Sequence, residues 1–181
     1  MLLPGIRWPL QSNAIRKRSV SNTFGMVRNG GTRVHQGWDL LAYPGTRCFA
    51  VAEGEIALVE RPSDYGLTII QRFEYRGRVL FAVYAHLSIC PVSQGKRVYA
   101  GECLGLTGNT GNADTMAGDN QHLHFEIRTV ARTGRGLVGR IDPRSVYGCV
   151  PLSTTIVDSR SPDSQKAGTS AGLKVQGVTV L

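Results

Sequence analysis

The chain lacks any apolar run approaching the roughly 20 residues that a membrane-crossing helix needs, which excludes a helical membrane span. It has no internal repeat with a period of roughly 20–50 residues, which excludes a solenoid or propeller. No window of about 11 residues carries a 3.6-residue apolar period, so a helical bundle is excluded too. Cysteine is scarce, and Cys48, Cys90, Cys103 and Cys149 show no Cys-x-x-Cys spacing, which argues against a structural zinc knuckle. Aromatic and basic side chains are not interleaved as a single-strand stacking platform requires, so a nucleic-acid partner is not expected. Acidic residues are absent before Asp39.

What remains is a chain of 181 residues, 41% hydrophobic and 19% charged, enough for one domain of about 150 residues with a modest extension. The net charge of +8 is unevenly placed. Arg7, Arg16, Lys17, Arg18, Arg28 and Arg33 precede the first acid, so the first 38 residues hold +6 of it. A basic flank suits nucleic acid, a membrane surface or a cell-wall polymer, or serves solubility alone. Residues 1–20 are read as a basic arm and 21–150 as the domain. From Pro151 the composition turns to Ser, Thr, Gly and Asp, so 151–181 are read as a flexible tail, with Val175–Leu181 able to add a short strand. The start does not read as a secretory leader, because Arg7 follows Met1–Ile6 at once. The chain is then expected to leave the cell by a signal-independent route, to have lost a leader, or to stay inside.

Between Asp39 and Arg128 the sequence is a series of short apolar runs cut by glycine. Arg47–Ala52, Glu55–Glu60, Gly66–Phe73, Arg78–His86, Glu102–Leu106 and His122–Thr129 predict a mainly β fold, an antiparallel sheet core with little helix. Ser12–Arg18 could form one helical turn. The polar stretch 107–120 predicts a long functional loop.

The four histidines carry the chemistry. His122-Leu123-His124 lies in an alternating run, so on a strand both imidazoles and Glu126 share one face, while Leu123, Phe125 and Ile127 face the core. Two such imidazoles can bind one metal, or divide ligand and acid–base roles. His35-Gln36-Gly37-Trp38-Asp39 sets a carboxylate four residues after an imidazole, across a glycine that disfavours helix. A carboxylate and two imidazoles make a catalytic zinc set with an open position for water. Tyr84 and His86 end an apolar strand and, by alternation, share a face.

Taken in order, His35-x-Gly37-x-Asp39, Tyr84-x-His86-Leu87 and His122-Leu123-His124-Phe125-Glu126 resemble the lysostaphin-type (LytM-like) zinc endopeptidases of peptidoglycan. Phe24–Arg28, Gly45-Thr46-Arg47, Gly101–Gly105 and Asp142-Pro143 extend the resemblance over about Ser21 to Arg144. It implies the family's β-sheet core and an active-site groove walled by loops, with 107–120 as one wall. It implies that His35, Asp39 and His124 hold one zinc ion. His86 and His122 would then be catalytic, flanking the activated water and the scissile carbonyl as base and oxyanion stabiliser. Glu126 would lie behind the ligands or on the strand face and not act as the base, and Tyr84 would lie behind the ligands, help hold the oxyanion, or simply pack. Trp38 departs from the small aliphatic usual at its place, and Cys48 and Cys103 stand where aliphatics are common. The substrate implied is peptidoglycan, met in the periplasm or cell wall, in the manner of a phage lysin or a secreted antibacterial toxin. A delivery machine or an immunity protein would then be its partner. The alternative is an inactive relative serving as a wall-binding or amidase-activating module. The basic arm, with Arg16, Lys17 and Arg18, would draw the protein to the anionic envelope without entering the chemistry. Cys90 and Cys149, both in loops, are candidates for a disulfide suited to such an oxidising site.

Overall fold

Glycine-punctuated apolar runs become antiparallel strands because each presents one apolar face to a shared core. A computed structural model describes residues 5–160 and the short strands at 173–175 and 178–180. In chain order the strands are β1 (Ser12–Asn13), β2 (Gly25–Arg28), β3 (Arg33–His35), β4 (Trp38–Leu41), β5 (Arg47–Phe49), β6 (Gly54–Glu60), β7 (Leu67–Tyr75), β8 (Arg78–Ile89), β9 (Arg97–Val98), β10 (Cys103–Thr107), β11 (His122–Arg128), β12 (Arg140–Ile141), β13 (Ile156–Asp158), β14 (Leu173–Val175) and β15 (Val178–Val180). The main sheet runs β12-β11-β8-β7-β6-β9, with β4 added to β11 and β10 joining β8 to β5. Every pairing among these strands is antiparallel. The expected mainly β class is the one observed. Among the described residues, helix is confined to short 3-10 turns and α1 (Arg144–Tyr147). The turn expected over Ser12–Arg18 is a 3-10 turn at Arg16–Arg18, preceded by β1.

The core collects side chains from both ends of the chain. Trp8 stacks on Tyr147 of α1 at 4.3 Å between ring centroids and lies 6.2 Å from Trp38. Phe125 and Tyr147 are 6.2 Å apart, and Tyr84 meets Phe125 edge-on at 5.5 Å. Trp38 is therefore large because Trp8 and Tyr147 pack beside it.

This packing corrects the expected boundaries. Ile6, Trp8, Leu10 and Ile15 are all buried, so residues 6–15 form part of the domain and not a solvated arm. Their basic neighbours have partners on the fold: Arg7 lies 3.8 Å from Asp158, and Arg18 donates to the Thr155 hydroxyl at 2.7 Å. At the other end β13 pairs with β1, Ile156 is buried, and the buried Asp158 carboxylate accepts from the backbone N–H of Trp8. Residues 151–160 thus close the fold on its N-terminal segment, whereas 161–172, 176–177 and 181 of the expected tail lie outside the described residues. The strand expected within Val175–Leu181 is present as β15, which pairs with β13. The expected Cys90–Cys149 disulfide is not formed. All four cysteines are free thiols, Cys48 buried, Cys149 exposed, and Cys90 with its sulfur 3.2 Å from the Val92 carbonyl oxygen.

Candidate metal centre and catalytic cleft

Three adjacent segments deliver the site. β4 and β11 pair in a register that sets Asp39 opposite His124 and Trp38 opposite Phe125. Directly opposed residues share a face, so the carboxylate and imidazole meet on one side while the two aromatic rings enter the core on the other. His35, at the end of β3, reaches the same point through the turn at Gly37. A Cβ on Gly37 would fall 2.2 Å from the Phe125 carbonyl oxygen and 2.9 Å from Glu126 Cγ. Only glycine lets this turn lie against β11.

The result is a convergent donor set. His35 Nε2 is 3.1 Å from Asp39 Oδ1 and 3.3 Å from His124 Nδ1, and that Nδ1 is 2.9 Å from the same Asp39 oxygen. All three residues are buried. Among the described residues, this is the one trio of His, Cys, Asp or Glu whose donor atoms lie within 4.8 Å of one another. The groups behind them fit a divalent ion. His35 Nδ1 is held by the Thr23 carbonyl at 2.8 Å, which can only accept, so the ring proton sits there and the Nε2 lone pair faces the centre. His124 Nε2 donates to Glu126 Oε1 at 2.9 Å, which aims Nδ1 inward.

Glu126 is a hub. Its other oxygen accepts from Arg128 Nε and from Arg140 Nε, and Oε1 also accepts from the Tyr65 hydroxyl at 2.6 Å. The carboxylate is completely buried, so it persists as a charge only through these partners. Burial opposes its ionisation, yet His124 and Arg128 together hold its pKa far below the ordinary carboxylate value.

Asp39 behaves alike. Burial again opposes ionisation, but the adjoining His124 and His35 imidazoles and the nearby His122 hold its carboxyl well below the usual range. Its second oxygen, Oδ2, accepts from Arg28 Nη2 at 2.7 Å and Arg16 Nη2 at 3.2 Å. Arg16 also donates to the Asn120 carbonyl at 2.9 Å and to Asn22 Oδ1 at 2.7 Å. The expectation that Arg16 merely adds charge to an outer arm is therefore corrected: it touches a predicted metal ligand and ties the N-terminal segment to the loop before His122.

His86 and His122 flank the trio. Their ring centroids are 5.1 Å apart, and His86 lies 6.1 Å from His124. Each Nδ1 donates to a backbone carbonyl at 2.8 Å, Thr110 for His86 and Asn120 for His122, leaving each Nε2 as an acceptor. His122 Nε2 is 3.5 Å from Asp39 Oδ1. Burial pushes the His86 pKa down to about 4, helped by repulsion from His124 and His122. Burial lowers those of His122 and His35 as well. Burial works against the charged form of His124 too, but Asp39 and Glu126 raise its pKa to about 9.

Tyr84 does not join the site. Between Tyr84 and Leu87 the pairing of β8 with β7 shifts register, and His86 has φ +62°, the left-handed region. This bulge breaks the alternation, so Tyr84 and Leu87 face the core while His86 turns into the cleft. The Tyr84 hydroxyl is 3.0 Å from both the Phe49 carbonyl oxygen and Gln71 Oε1, locked among core strands. Its expected place behind the ligands is taken by Tyr65, whose ring meets His124 edge-on at 5.3 Å.

The four histidines and Asp39 open onto a cleft of about 550 Å³. Asn112 and Met116, from the loop predicted to be a wall, line it. Another hollow, of about 600 Å³, is lined by Glu53, Glu55, Arg72 and Arg97 and holds no histidine or cysteine. Sequence reasoning missed Tyr65, Arg128, Arg140 and the place of Arg16 beside Asp39 in the cleft. Only the last had a signal, in the cluster Arg16-Lys17-Arg18.

Comparison with known proteins identifies the family. Residues 33–137 match the family model described as peptidase family M23. An uncharacterized metalloprotease of Haemophilus influenzae is 34% identical over 131 residues, 70% of this chain and 25% of that protein. The peptidoglycan DD-endopeptidase ShyA of Vibrio cholerae is 30% identical over 143 residues, 78% of this chain and 31% of that protein. The chain thus spans a quarter to a third of the length of these curated relatives. Among solved structures, the catalytic domain of the antimicrobial peptidase lysostaphin from Staphylococcus simulans superposes with a TM-score of 0.54 at 28% identity, covering 71% of this chain and 88% of that one.

Proposed function

The chain belongs to peptidase family M23, and from that premise we propose that it is a zinc-dependent endopeptidase that hydrolyses peptide bonds in peptidoglycan stems or cross-links. One observation carries the reading: His35 Nε2, Asp39 Oδ1 and His124 Nδ1 converge at 2.9–3.3 Å, with the free Nε2 atoms of His86 and His122 beside them. The trio supplies two neutral-capable imidazoles and one carboxylate, a donor set that suits zinc with an open position. Bound there, the ion would supply Lewis-acid chemistry, acidifying a water and polarising the scissile carbonyl.

The remaining work falls to the chain's own side chains. With its pKa down at about 4, His86 is neutral at pH 7 and can accept a proton at Nε2. His122, held neutral in the same way, lies nearer Asp39 and presents the second Nε2 to the cleft. One serves as general base at Nε2, and the other donates to the developing oxyanion once its Nε2 has taken up a proton, since its Nδ1–H is held by a backbone carbonyl. Glu126 orients His124, while Arg16 and Arg28 occupy Asp39 Oδ2 and leave Oδ1 for the metal. The complete set of donors counts against an inactive binding module. The likeness to an antimicrobial peptidase supports an antibacterial setting in the periplasm or cell wall, as lysin or effector.

Digestion of purified sacculi tests the proposal. Zinc-loaded protein should release uncrosslinked or shortened stem peptides, and a chelator should abolish release. His86→Ala and His122→Ala should each retain zinc and lose activity. Full zinc occupancy with no change in the muropeptides would refute the reading.

A further inference from the structure

Arginine outnumbers acid in the cleft. Arg16, Arg28, Arg33 and Arg135 line it against Asp39 and Asp64, and a bound divalent ion would widen the imbalance. Three of these guanidiniums crowd one corner: Arg16 and Arg33 both repel Arg28 electrostatically, and among the described residues Asp39 Oδ2 is the one carboxylate oxygen paired with Arg16 and Arg28. That oxygen already accepts two hydrogen bonds, and its partner Oδ1 faces the histidines. Arg28 uses Nη2 on Asp39 and Nε on the Ser21 carbonyl, which leaves Nη1 with no partner among the described residues. Arg33 is exposed on β3, two residues before His35, and among the described residues its side chain has neither an ion pair nor a hydrogen bond. Clustered like charges with spare, forked donors are costly in the free protein and match a planar carboxylate.

We infer that the Arg28–Arg33 corner of the cleft is a subsite for a substrate carboxylate, so that the enzyme selects peptides bearing a free carboxylate beside the scissile bond over peptides amidated at the same position. The inference rests on the peptidase reading and names its substrate class. Arg28 touches a predicted metal ligand and Arg33 does not, so Arg33 is the residue to change. A charge-assisted hydrogen bond contributes about 1.5–3 kcal/mol, or roughly a 10- to 100-fold preference.

The test uses two synthetic cross-linked stem peptides that differ only in a carboxylate or carboxamide on the residue flanking the scissile bond. Calorimetry measures their binding to the zinc-loaded His86→Ala protein, and to the same protein carrying Arg33→Gln. The carboxylate peptide should bind at least tenfold more tightly, the preference should weaken with added salt, and Arg33→Gln should narrow it to within twofold. Equal binding of the two peptides, or a preference that survives Arg33→Gln, overturns the subsite. Cleavage by the wild type is scored separately. A binding preference without cleavage of either peptide would contradict the peptidase reading and leave the subsite standing.

Discussion

Glu126→Gln is the sharpest perturbation of the site that leaves every predicted metal ligand in place. The Glu126 side chain is fully buried, and Arg128 and Arg140, at 5% and 8% exposure, both direct Nε at its second oxygen. A glutamine keeps the shape and removes the charge, leaving two buried guanidiniums opposite a neutral amide. Removing one partner of a buried ion pair costs about 3–5 kcal/mol. His124 Nε2 loses its charged acceptor, and disturbing a group behind a metal ligand lowers metal affinity by about 10- to 100-fold. Urea unfolding of the metal-free protein reads the first effect, and competition with a chromogenic chelator reads the second. The variant should unfold about 3 kcal/mol more easily and hold zinc at least tenfold less tightly. A loss under about 1 kcal/mol with unchanged zinc affinity would show that Glu126 neither stabilises the sheet nor tunes the centre.

The remaining predictions concern the turn, the N-terminal segment and acid stability. Gly37→Ala places a Cβ 2.2 Å from the Phe125 carbonyl oxygen, so β11 or the turn must move. It should cost more than about 2 kcal/mol and abolish zinc binding, and wild-type zinc affinity in this variant would disprove the close approach. Trp8→Ala, at a buried ring stacked on Tyr147, should cost about 3–5 kcal/mol by denaturant unfolding; a cost under about 1 kcal/mol would restore the separable arm. His86 has a folded pKa of about 4 against about 6.5 unfolded, so its neutral form contributes stability above pH 6.5 that is lost as the pH falls toward 4. In the presence of chelator, wild type should lose about 3 kcal/mol more between pH 7 and pH 4 than His86→Gln, and parallel stability curves would refute this.

Much of the chemistry could be read from period and spacing. His122, His124 and Glu126 share a strand face because a strand alternates, and Leu123, Phe125 and Ile127 are all fully buried on the other. His35 and Asp39 converge because Gly37 permits the turn, and that glycine was visible. Alternation failed at His86, where one inserted residue with a left-handed backbone reverses the facing, a feature that no run of apolar residues announces. Charge misled at the N-terminus. Six basic residues before Asp39 suggested a solvated arm, yet Ile6, Trp8 and Leu10, at strand-like spacing, bury there. Tyr65, Arg128 and Arg140 reach Glu126 from distant segments, and only the folded register brings them together.

The central claim is that this cleft hydrolyses a peptide bond in cross-linked peptidoglycan. Its most direct test is mass spectrometry of a defined cross-linked muropeptide dimer after incubation with the zinc-loaded protein. The account predicts two fragments whose masses sum to the dimer plus one water, each with an intact glycan portion, and neither fragment with His86→Ala or chelator. An intact dimer beside fully zinc-loaded protein, or cleavage confined to the glycan, would contradict it.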